Sequence, residues 1–224
     1  MRILIINPNS SEAMRDAIQK TADDFADNEF EVICKSTLSA PPFIETYEDQ
    51  IKAAPGMIQL IRENEDQFDA FIVACHSDIN LDVLKKITNK LVVGIGEASM
   101  KMASMLGHRF SVVSIHQHSI PNKEALVHKY FLENYLASIK APPEDMCDCG
   151  DEEKTYLAAK AAIEKDMAEV IVLGCAGMTG LDKKLQEKLG VPVLDGVICA
   201  LIITTGLVKY GVSTSKIRRY NPDY

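Results

Sequence analysis

Phe68-Asp-Ala-Phe-Ile-Val-Ala-Cys75 is matched 100 residues further along the chain by Ala168-Glu-Val-Ile-Val-Leu-Gly-Cys175. Each stretch is a short apolar run that ends in a cysteine, and such a run between helical segments predicts a strand buried on both faces. The same offset relates Leu91-Val-Val-Gly-Ile-Gly96 to Val191-Pro-Val-Leu-Asp-Gly196. Because strand, cysteine, strand and glycine keep one register, the sequence predicts an internal repeat.

Strands and helices alternate around this repeat, and the opening strands at Arg2 and Arg109 are offset by 107 residues. We predict strands over 2–6, 31–35, 70–74, 91–93, 110–115, 170–173 and 191–194, and helices over 81–87, 97–106, 122–139, 152–165, 181–189 and 197–210, with a first helix after Ser10 or Ser11 and a helical stretch that Pro55 opens or interrupts.

This alternation predicts an α/β fold of two similar lobes, each a short parallel sheet flanked by helices. The lobes are expected to be related by a pseudo-two-fold axis, with the active site between them. The first lobe would comprise residues 1–96 and 197–224, and the second residues 97–196.

Charge and composition exclude several classes of protein. The chain has 224 residues with 24 Lys and Arg against 32 Asp and Glu, a net charge of −8, which disfavours nucleic acid or an anionic membrane as a partner. The apolar run over 197–208 is shorter than the ~20 residues that span a bilayer, and no targeting segment is recognisable. We therefore expect a cytoplasmic protein whose six cysteines are thiols. The basic tail at Lys216, Arg218 and Arg219 is expected to be solvated.

Cys75 and Cys175 fall at the carboxyl ends of their predicted strands, where α/β sheets bind ligands. Each precedes a predicted helix, whose N-terminal N–H groups would stabilise a thiolate. If the lobes face each other, one thiolate removes a proton α to a carbonyl and the other thiol delivers a proton to the opposite face. Such inversion requires no metal and no organic cofactor. The alternative is that both cysteines are small core residues.

Four motifs and one loop segment resemble those of the aspartate/glutamate racemase superfamily, and are most similar to its hydantoin and allantoin racemase branch. They are Ile6-Asn7-Pro8-Asn9-Ser10, Ala74-Cys75-His76-Ser77-Asp78, Gly94-Ile95-Gly96-Glu97-Ala98, Leu173-Gly174-Cys175-Ala176-Gly177-Met178 and the loop Pro42-Phe43-Ile44-Glu45-Thr46-Tyr47.

The resemblance implies cofactor-independent racemisation with Cys75 and Cys175 as the acid/base pair. It also implies a 5-substituted hydantoin or allantoin as substrate, with Phe43 and Ile44 in the substrate loop. The chain departs from the branch at two positions: His76 stands where an aromatic such as Phe is common, and Phe43 where a small polar residue is usual.

The other substrate-binding candidates follow strands at the same edge. Asn7 and Asn9 offer amides for a substrate carbonyl or a developing enolate oxygen, or else form a turn with local bonds. Backbone N–H groups around Cys175 and near Ser77 are candidate donors to an oxyanion, since glycine permits close approach of a substrate. The candidates around Cys175 are Gly174, Ala176 and Gly177. Thr179 is expected to cap the following helix.

The remaining histidines and cysteines give weaker signals. A direct Cys75–His76 pair is disfavoured because adjacent residues of an extended chain point to opposite sides. His116 and His118 resemble half of a metal site, but no third ligand is suitably spaced, so a substrate-facing or surface role is favoured. Cys147 and Cys149 are expected to be exposed and without a role, and the two other cysteines, Cys34 and Cys199, to lie in the core.

Two other functions stay open at this point. The first is an aspartate/glutamate-type amino-acid racemase or a related one- or two-cysteine isomerase. Such a racemase needs cationic groups to bind two carboxylates, and no Arg or Lys accompanies the motifs. The other is a non-catalytic two-lobed protein that binds a small molecule. In every case the expected partner is a small molecule, and a homo-oligomer is possible.

Overall fold

The structure is a computed structural model that describes residues 1–142 and 152–223. The chain divides into two compact units: Met1–Ile95 with Ala200–Tyr224, and Gly96–Cys199. The repeat predicts lobe boundaries after residues 96 and 196. These boundaries stay a prediction.

The first unit contains a four-stranded parallel sheet in the order β2-β1-β3-β4. Its elements are β1 (Arg2–Asn7), α1 (Glu12–Ala26), β2 (Glu31–Ser36), α2 (Tyr47–Asn64), β3 (Ala70–Val73), α3 (Leu81–Ile87) and β4 (Leu91–Gly94).

The second unit contains a four-stranded parallel sheet in the order β6-β5-β7-β8. Its elements are α4 (Ile95–Leu106), β5 (Phe110–Val113), α5 (Ile120–Lys129), β6 (Leu136–Lys140), α6 (Glu152–Asp166), β7 (Val170–Leu173), α7 (Asp182–Leu189), β8 (Val193–Leu194) and α8 (Gly196–Tyr210), the last of which ends in the first unit. The predicted α/β class with two short parallel sheets flanked by helices is confirmed.

Helix boundaries in the first unit follow local side-chain caps. Ser11, one of the two serines predicted to begin the first helix, is the N-cap of α1. Its hydroxyl accepts from Met14 N at 3.3 Å. Thr46 begins α2 with a capping box, because its hydroxyl accepts from Asp49 N while the Asp49 carboxylate accepts from Thr46 N. Pro55 lies inside α2 and neither opens nor ends it.

The repeat is visible in the hydrogen bonds of the two sheets. Ala74 N donates to Ile6 O at 2.9 Å, and Gly174 N donates to Val113 O at 2.7 Å. The donors differ by 100 residues and the acceptors by 107, the two offsets read from the sequence. The same short apolar strands therefore pair in the same way in both units.

The offset changes by one residue at the start of α7. Leu84 N donates to Asn80 O, whereas the equivalent bond of the second unit runs from Leu185 N to Leu181 O, an offset of 101. The constant offset of 100 predicted up to Gly196 is therefore wrong beyond α7. The extra residue lies before the helix, because two steps separate Asp78 from Asn80 whereas three separate Met178 from Leu181.

Each unit has its own apolar core. Every residue of β3 and of β7 is buried, as expected for parallel strands covered on both faces. Met57 and Ile61 of α2 cover one face of the first sheet, and Ala159 and Ala162 of α6 cover one face of the second. These cores fix the carboxyl ends of the strands.

The predicted helix over 122–139 is wrong in its second half. Helix α5 ends at Lys129, and Phe131 has a left-handed backbone with φ 58°, a conformation that ends a helix. The chain then forms β6, whose residues are all half-buried at the edge of the sheet next to β5.

The basic tail is not uniformly solvated, which corrects the expectation for Lys216. Its ammonium group is half-buried and donates to the carbonyls of Lys85 and Lys86 at the end of α3. Tyr220 OH donates to Asp82 Oδ1 in the first turn of the same helix at 2.8 Å. The tail therefore fixes both ends of α3. Arg218 is exposed, as expected.

Candidate active site

Cys75 and Cys175 occupy equivalent turns at the carboxyl ends of β3 and β7. Asp78 N donates to Cys75 O at 2.9 Å, and Met178 N donates to Cys175 O at 3.1 Å. The next turn is also shared, since Leu81 N donates to Asp78 O and residues 181 and 178 make the same bond. The repeat thus preserves the backbone around each thiol. Helix α3 begins at Leu81, as predicted, and α7 begins at Asp182, one residue after its predicted start.

The two turns share one pattern of exposure. Residues 74–78 alternate buried, half-buried, buried, half-buried, buried, and residues 174–178 do the same. Cys75 and Cys175 are both half-buried, so neither residue is enclosed in the core of its own unit.

Cys34 and Cys199 differ sharply from this pair. They are 6% and 2% exposed, and burial raises the pKa of each thiol from 9.0 to about 12. Their predicted core position is confirmed. Cys147 and Cys149 lie outside the described residues.

The sulfur of Cys175 receives a backbone donor. Cys175 is the N-cap of a short 3₁₀ helix, Ala176–Met178, and its Sγ accepts from Gly177 N at 3.3 Å. A backbone N–H aimed at sulfur stabilises the thiolate. Gly177 N was expected to face a substrate oxygen, and it faces the cysteine sulfur instead. In the first unit the equivalent residue, Ser77, is likewise half-buried.

Gly174 and Ala176 flank the second cysteine and are buried. A Cβ on Gly174 would lie 2.6 Å from Val113 O and 2.9 Å from Val112 Cγ1, so the glycine permits close approach of β5 to β7. The structure thus gives Gly174 a packing role, and its contact with substrate stays a prediction.

Asn7 and Asn9 form a local network after β1. Asn7 Nδ2 donates to Asn9 Oδ1 at 2.8 Å, and Ser11 N donates to the same oxygen at 2.9 Å. Asn9 Nδ2 contacts Met14 Sδ at 3.1 Å. Both asparagines are buried, and none of the described residues donates to Asn7 Oδ1. Asn7 Nδ2 also donates to Ser36 Oγ at the end of β2, so the donors of both amides are used within the first unit.

The loop with Phe43 and Ile44 joins β2 to α2. Ile44 is half-buried and packs against the core cluster of the first unit, which Cys75 also contacts. Phe43 is 55% exposed. Ile44 therefore anchors the loop on the core, and the preceding residue, Phe43, faces solvent.

The histidines do not form a metal site in the part of the chain that the structure describes. His76 is 2% exposed, between two half-buried neighbours, and the disfavoured Cys75–His76 pair stays a prediction. His116 and His118 stack with ring centroids 5.1 Å apart and 11° between planes. Residues 1–142 and 152–223 contain no group of three or more His, Cys, Asp or Glu suited to a metal ion.

Two buried aspartates near the cysteines were not found from the sequence. Asp78 and Asp195 are each 3% exposed. Asp195 Oδ2 accepts from Thr179 Oγ1 at 2.7 Å, so Thr179 does not cap α7 as expected. An Asp directly before the apolar helix α8 is an N-cap signal that reveals Asp195 in the sequence.

Comparison with known proteins defines the class. Residues 3–203 match the family model described as Asp/Glu/Hydantoin racemase. The chain belongs to this family, which confirms the resemblance found in its motifs.

Individual relatives cover nearly the whole chain. The hydantoin racemase of Pseudomonas sp. (strain NS671) is 36% identical over 226 residues, covering 98% of this chain and 91% of the relative. That of Paenarthrobacter aurescens is 37% identical over 227 residues, covering 98% and 96%. The solved allantoin racemase from Klebsiella pneumoniae matches with a TM-score of 0.92 at 32% identity, covering 98% of this chain and 92% of that one.

The chain is therefore an enzyme, an isomerase of the racemase class that acts on a small molecule. The non-catalytic alternative is excluded by this membership. No helix within the described residues is long and apolar enough to cross a membrane.

Proposed function

We propose that this racemase inverts a carbon acid α to a carbonyl without a cofactor, with Cys75 and Cys175 as its acid/base pair. The observation that carries the proposal is that two half-buried thiols occupy backbone turns with the same hydrogen bonds, whereas Cys34 and Cys199 are buried in the core. Equivalent thiols suit a reaction whose two directions are mirror images.

The proton balance is simple. One cysteine thiolate takes the proton from the stereocentre and becomes a thiol, and the electron pair moves into the adjacent carbonyl as an enolate. The other cysteine, a thiol at the start, delivers its proton to the opposite face and becomes a thiolate. The reverse reaction restores the first state, so both thiols must reach opposite faces of one substrate carbon.

The backbone around the thiols supports this chemistry. Gly177 N stabilises the thiolate form of Cys175, which makes that residue a competent base. We assign the amides near Ser77 and Ala176, and the buried Gly174, to the surroundings of the developing enolate oxygen.

The substrate we propose is a 5-substituted hydantoin or allantoin. The relatives that match over nearly the whole chain are named hydantoin racemase or allantoin racemase. A hydantoin C5–H is more acidic than the corresponding hydrogen of an amino-acid zwitterion, so modest stabilisation of the enolate suffices. Asn7 Oδ1 is the acceptor we assign to a ring N–H, with Asn9 beside it, and Phe43 and Ile44 are assigned to the C5 substituent.

Deuterium uptake tests the reaction. In D₂O, the wild-type enzyme should convert one enantiomer of a 5-substituted hydantoin to the racemate with one deuterium at C5. Cys75→Ser and Cys175→Ser should each lose racemisation by at least about a hundredfold, the lower end of what a positioned acid or base contributes. Cys34→Ala, in β2, is the matched cysteine control and should retain it.

Full racemisation of every accepted substrate by either serine variant would reject the two-thiol mechanism. A panel containing aspartate, glutamate and allantoin separates the substrate classes: turnover of the amino acids alone would replace the hydantoin assignment with the amino-acid racemase. Sedimentation of the wild-type chain addresses the homo-oligomer, which stays a prediction.

A further inference from the structure

A buried carboxylate ties the turn after Cys175 to the end of β8. Asp195 Oδ2 accepts from Thr179 Oγ1 at 2.7 Å and from Gly180 N at 2.9 Å, while its Oδ1 accepts from Val197 N at 2.8 Å. One side chain thus joins the cysteine turn, the last strand and the first turn of α8. With three donors and 3% exposure, its hydrogen bonds are shielded from water.

In the first unit the aspartate that connects the cysteine turn to the last strand lies on the turn and not at the strand end. Asp78 lies in the turn after Cys75 with φ 47°, and its carboxyl group packs on the backbone at Gly94, the last residue of β4. A Cβ on Gly94 would collide with Asp78 Oδ1 and lie 2.5 Å from Asp78 Cγ. The carboxylate therefore fills the space that any other residue at position 94 would occupy.

Gly94 and Asp195 are equivalent positions. Phe71 of β3 pairs with Val92, and Ile171 of β7 pairs with Val193, so the last strands are related by an offset of 101. That offset takes Gly94 to Asp195. Each unit thus has one aspartate at this junction, on the turn in the first unit and at the strand end in the second.

We propose that Asp78 and Asp195 are positioning residues, each of which holds the turn of its own cysteine in the geometry that activates the thiol. In the first unit the Asp78 carboxyl group packs at Gly94 while its backbone N–H donates to Cys75 O, so a shift of that side chain would move the turn. In the second, Asp195 holds Thr179 and Gly180. Thr179 N donates to Ala176 O at 3.1 Å, within the 3₁₀ turn whose Gly177 N lies on Cys175 Sγ.

Replacement of Asp195 by asparagine keeps the size of the side chain and removes one of its two acceptor oxygens. An amide has one acceptor oxygen, so Asp195→Asn can keep either the bond to Val197 N or the bonds to the Thr179 turn. The donors left over would be buried without a partner, and the turn would move to satisfy them. The Gly177 amide would then leave the sulfur, and the reactivity of Cys175 would fall.

The consequence is specific to each cysteine. Asp195 lies in the second unit with Cys175, and Asp78 lies in the first with Cys75. Each aspartate variant is therefore the matched control for the other. A general loss of packing would affect both thiols together, whereas a positioning role affects one.

The test is the rate of iodoacetamide modification at each cysteine, followed by peptide mass spectrometry across pH 6 to about 9, a range that brackets ordinary thiol ionisation. In Asp195→Asn the rate at Cys175 should fall by about tenfold or more, the lower end of what one hydrogen bond to a charged group contributes. The rate at Cys75 should change by less than about twofold, because its turn lies in the other unit. Asp78→Asn should give the opposite pattern.

A second pair keeps the test decisive if an aspartate variant does not fold. Thr179→Val removes one bond to Asp195 and should lower the rate at Cys175 alone, and Thr179→Ser retains the hydroxyl and should restore it. Equal changes at both thiols, no change at either, or no difference between valine and serine would overturn the proposal.

Catalysis provides an independent readout that rests on the proposed function. Each cysteine would deprotonate one enantiomer, so the primary deuterium isotope effect should change for one enantiomer in Asp195→Asn and for the other in Asp78→Asn. If racemisation survives the cysteine-to-serine changes, the acid/base assignment fails, but the alkylation pattern still tests the positioning role.

Discussion

Gly177 donates its backbone N–H to Cys175 Sγ over 3.3 Å, so the residue two positions downstream of the cysteine holds a donor on its sulfur. By contrast, Cys34 and Cys199 are buried. Of the cysteines in the described part of the chain, we predict that iodoacetamide at pH 7.5 modifies Cys75 and Cys175 first. A bound hydantoin should protect both, which peptide mapping measures; modification of Cys34 before Cys75 would contradict the prediction.

The buried thiols predict a loss of stability at alkaline pH. Burial raises the pKa of Cys34 and Cys199 from 9.0 to about 12, so the unfolded chain releases these protons at lower pH than the folded one. Their contribution to the free energy of unfolding is complete below pH 9 and declines as pH rises toward 12, by about 1.4 kcal/mol per pH unit for each thiol. Urea unfolding at pH 8 and 10 should show a smaller decline for the Cys34→Ala/Cys199→Ala double variant. An equal decline in both proteins would exclude this cause.

A methyl group at Gly94 should destabilise the first unit. The added Cβ would collide with the buried Asp78 carboxyl group and lie 2.8 Å from Leu81 Cδ2. We expect Gly94→Ala to cost about 1–3 kcal/mol in urea unfolding, the usual range for overpacking. Gly206→Ala is the control, because a Cβ there meets no atom within 4 Å. Since Gly206 lies within α8, alanine should stabilise slightly by its helix propensity. Equal effects of the two changes would refute the account.

The tail predicts a further stability effect. Lys216→Met removes an ammonium group from the carbonyls at the end of α3 and should cost about 1 kcal/mol. A chain of this size should then unfold about 2–4 °C earlier in calorimetry. Arg218→Met is the control, because among the described residues that side chain donates only to the neighbouring Ile217 carbonyl. A Tm unchanged by Lys216→Met would show that the tail does not stabilise α3.

Phe43 predicts an effect on specificity without an effect on stability. Its side chain is 55% exposed, so Phe43→Ser should leave Tm within about 2 °C of wild type. The kcat/KM for a 5-benzyl hydantoin relative to allantoin should fall by about tenfold, because an apolar contact to the substituent is lost. Leu38→Ser, 80% exposed after β2 in the same connection to α2, should not change the ratio. Parallel losses for both substrates would place Phe43 outside the specificity pocket.

The repeat allowed much of the fold to be predicted from the sequence. Strand β7 and helix α3 have the predicted bounds, because a continuous apolar run and a short amphipathic segment are strong local signals. Strand β6 was missed since Leu136-Ala-Ser-Ile-Lys140 is half-buried at a sheet edge and continues a helix-like stretch. The repeat itself contained the missing signal, because β2 occupies the same edge position in the first unit.

The two cysteines of the candidate site could be predicted from the sequence, whereas the hydrogen bonds around them could not. A cysteine after a buried strand can be read from the sequence, but the direction of a backbone N–H cannot, and Gly177 faces sulfur. The matched glycines at 96 and 196 concealed the extra residue that precedes α7. Only the register of β8 against β7 relates Asp195 to Gly94.

The opposite placement of Asp78 and Asp195 means that the two halves are no longer interchangeable, although their backbones are. Grafting the second cysteine turn onto the first unit would leave that junction without any carboxylate, since Met178 would replace Asp78 opposite Gly94. The reciprocal graft would place an aspartate at position 178 beside the buried Asp195, so that two carboxylates would share one buried junction. An exchange of turns between the copies would therefore succeed only if the residue at the strand end were exchanged together with its turn.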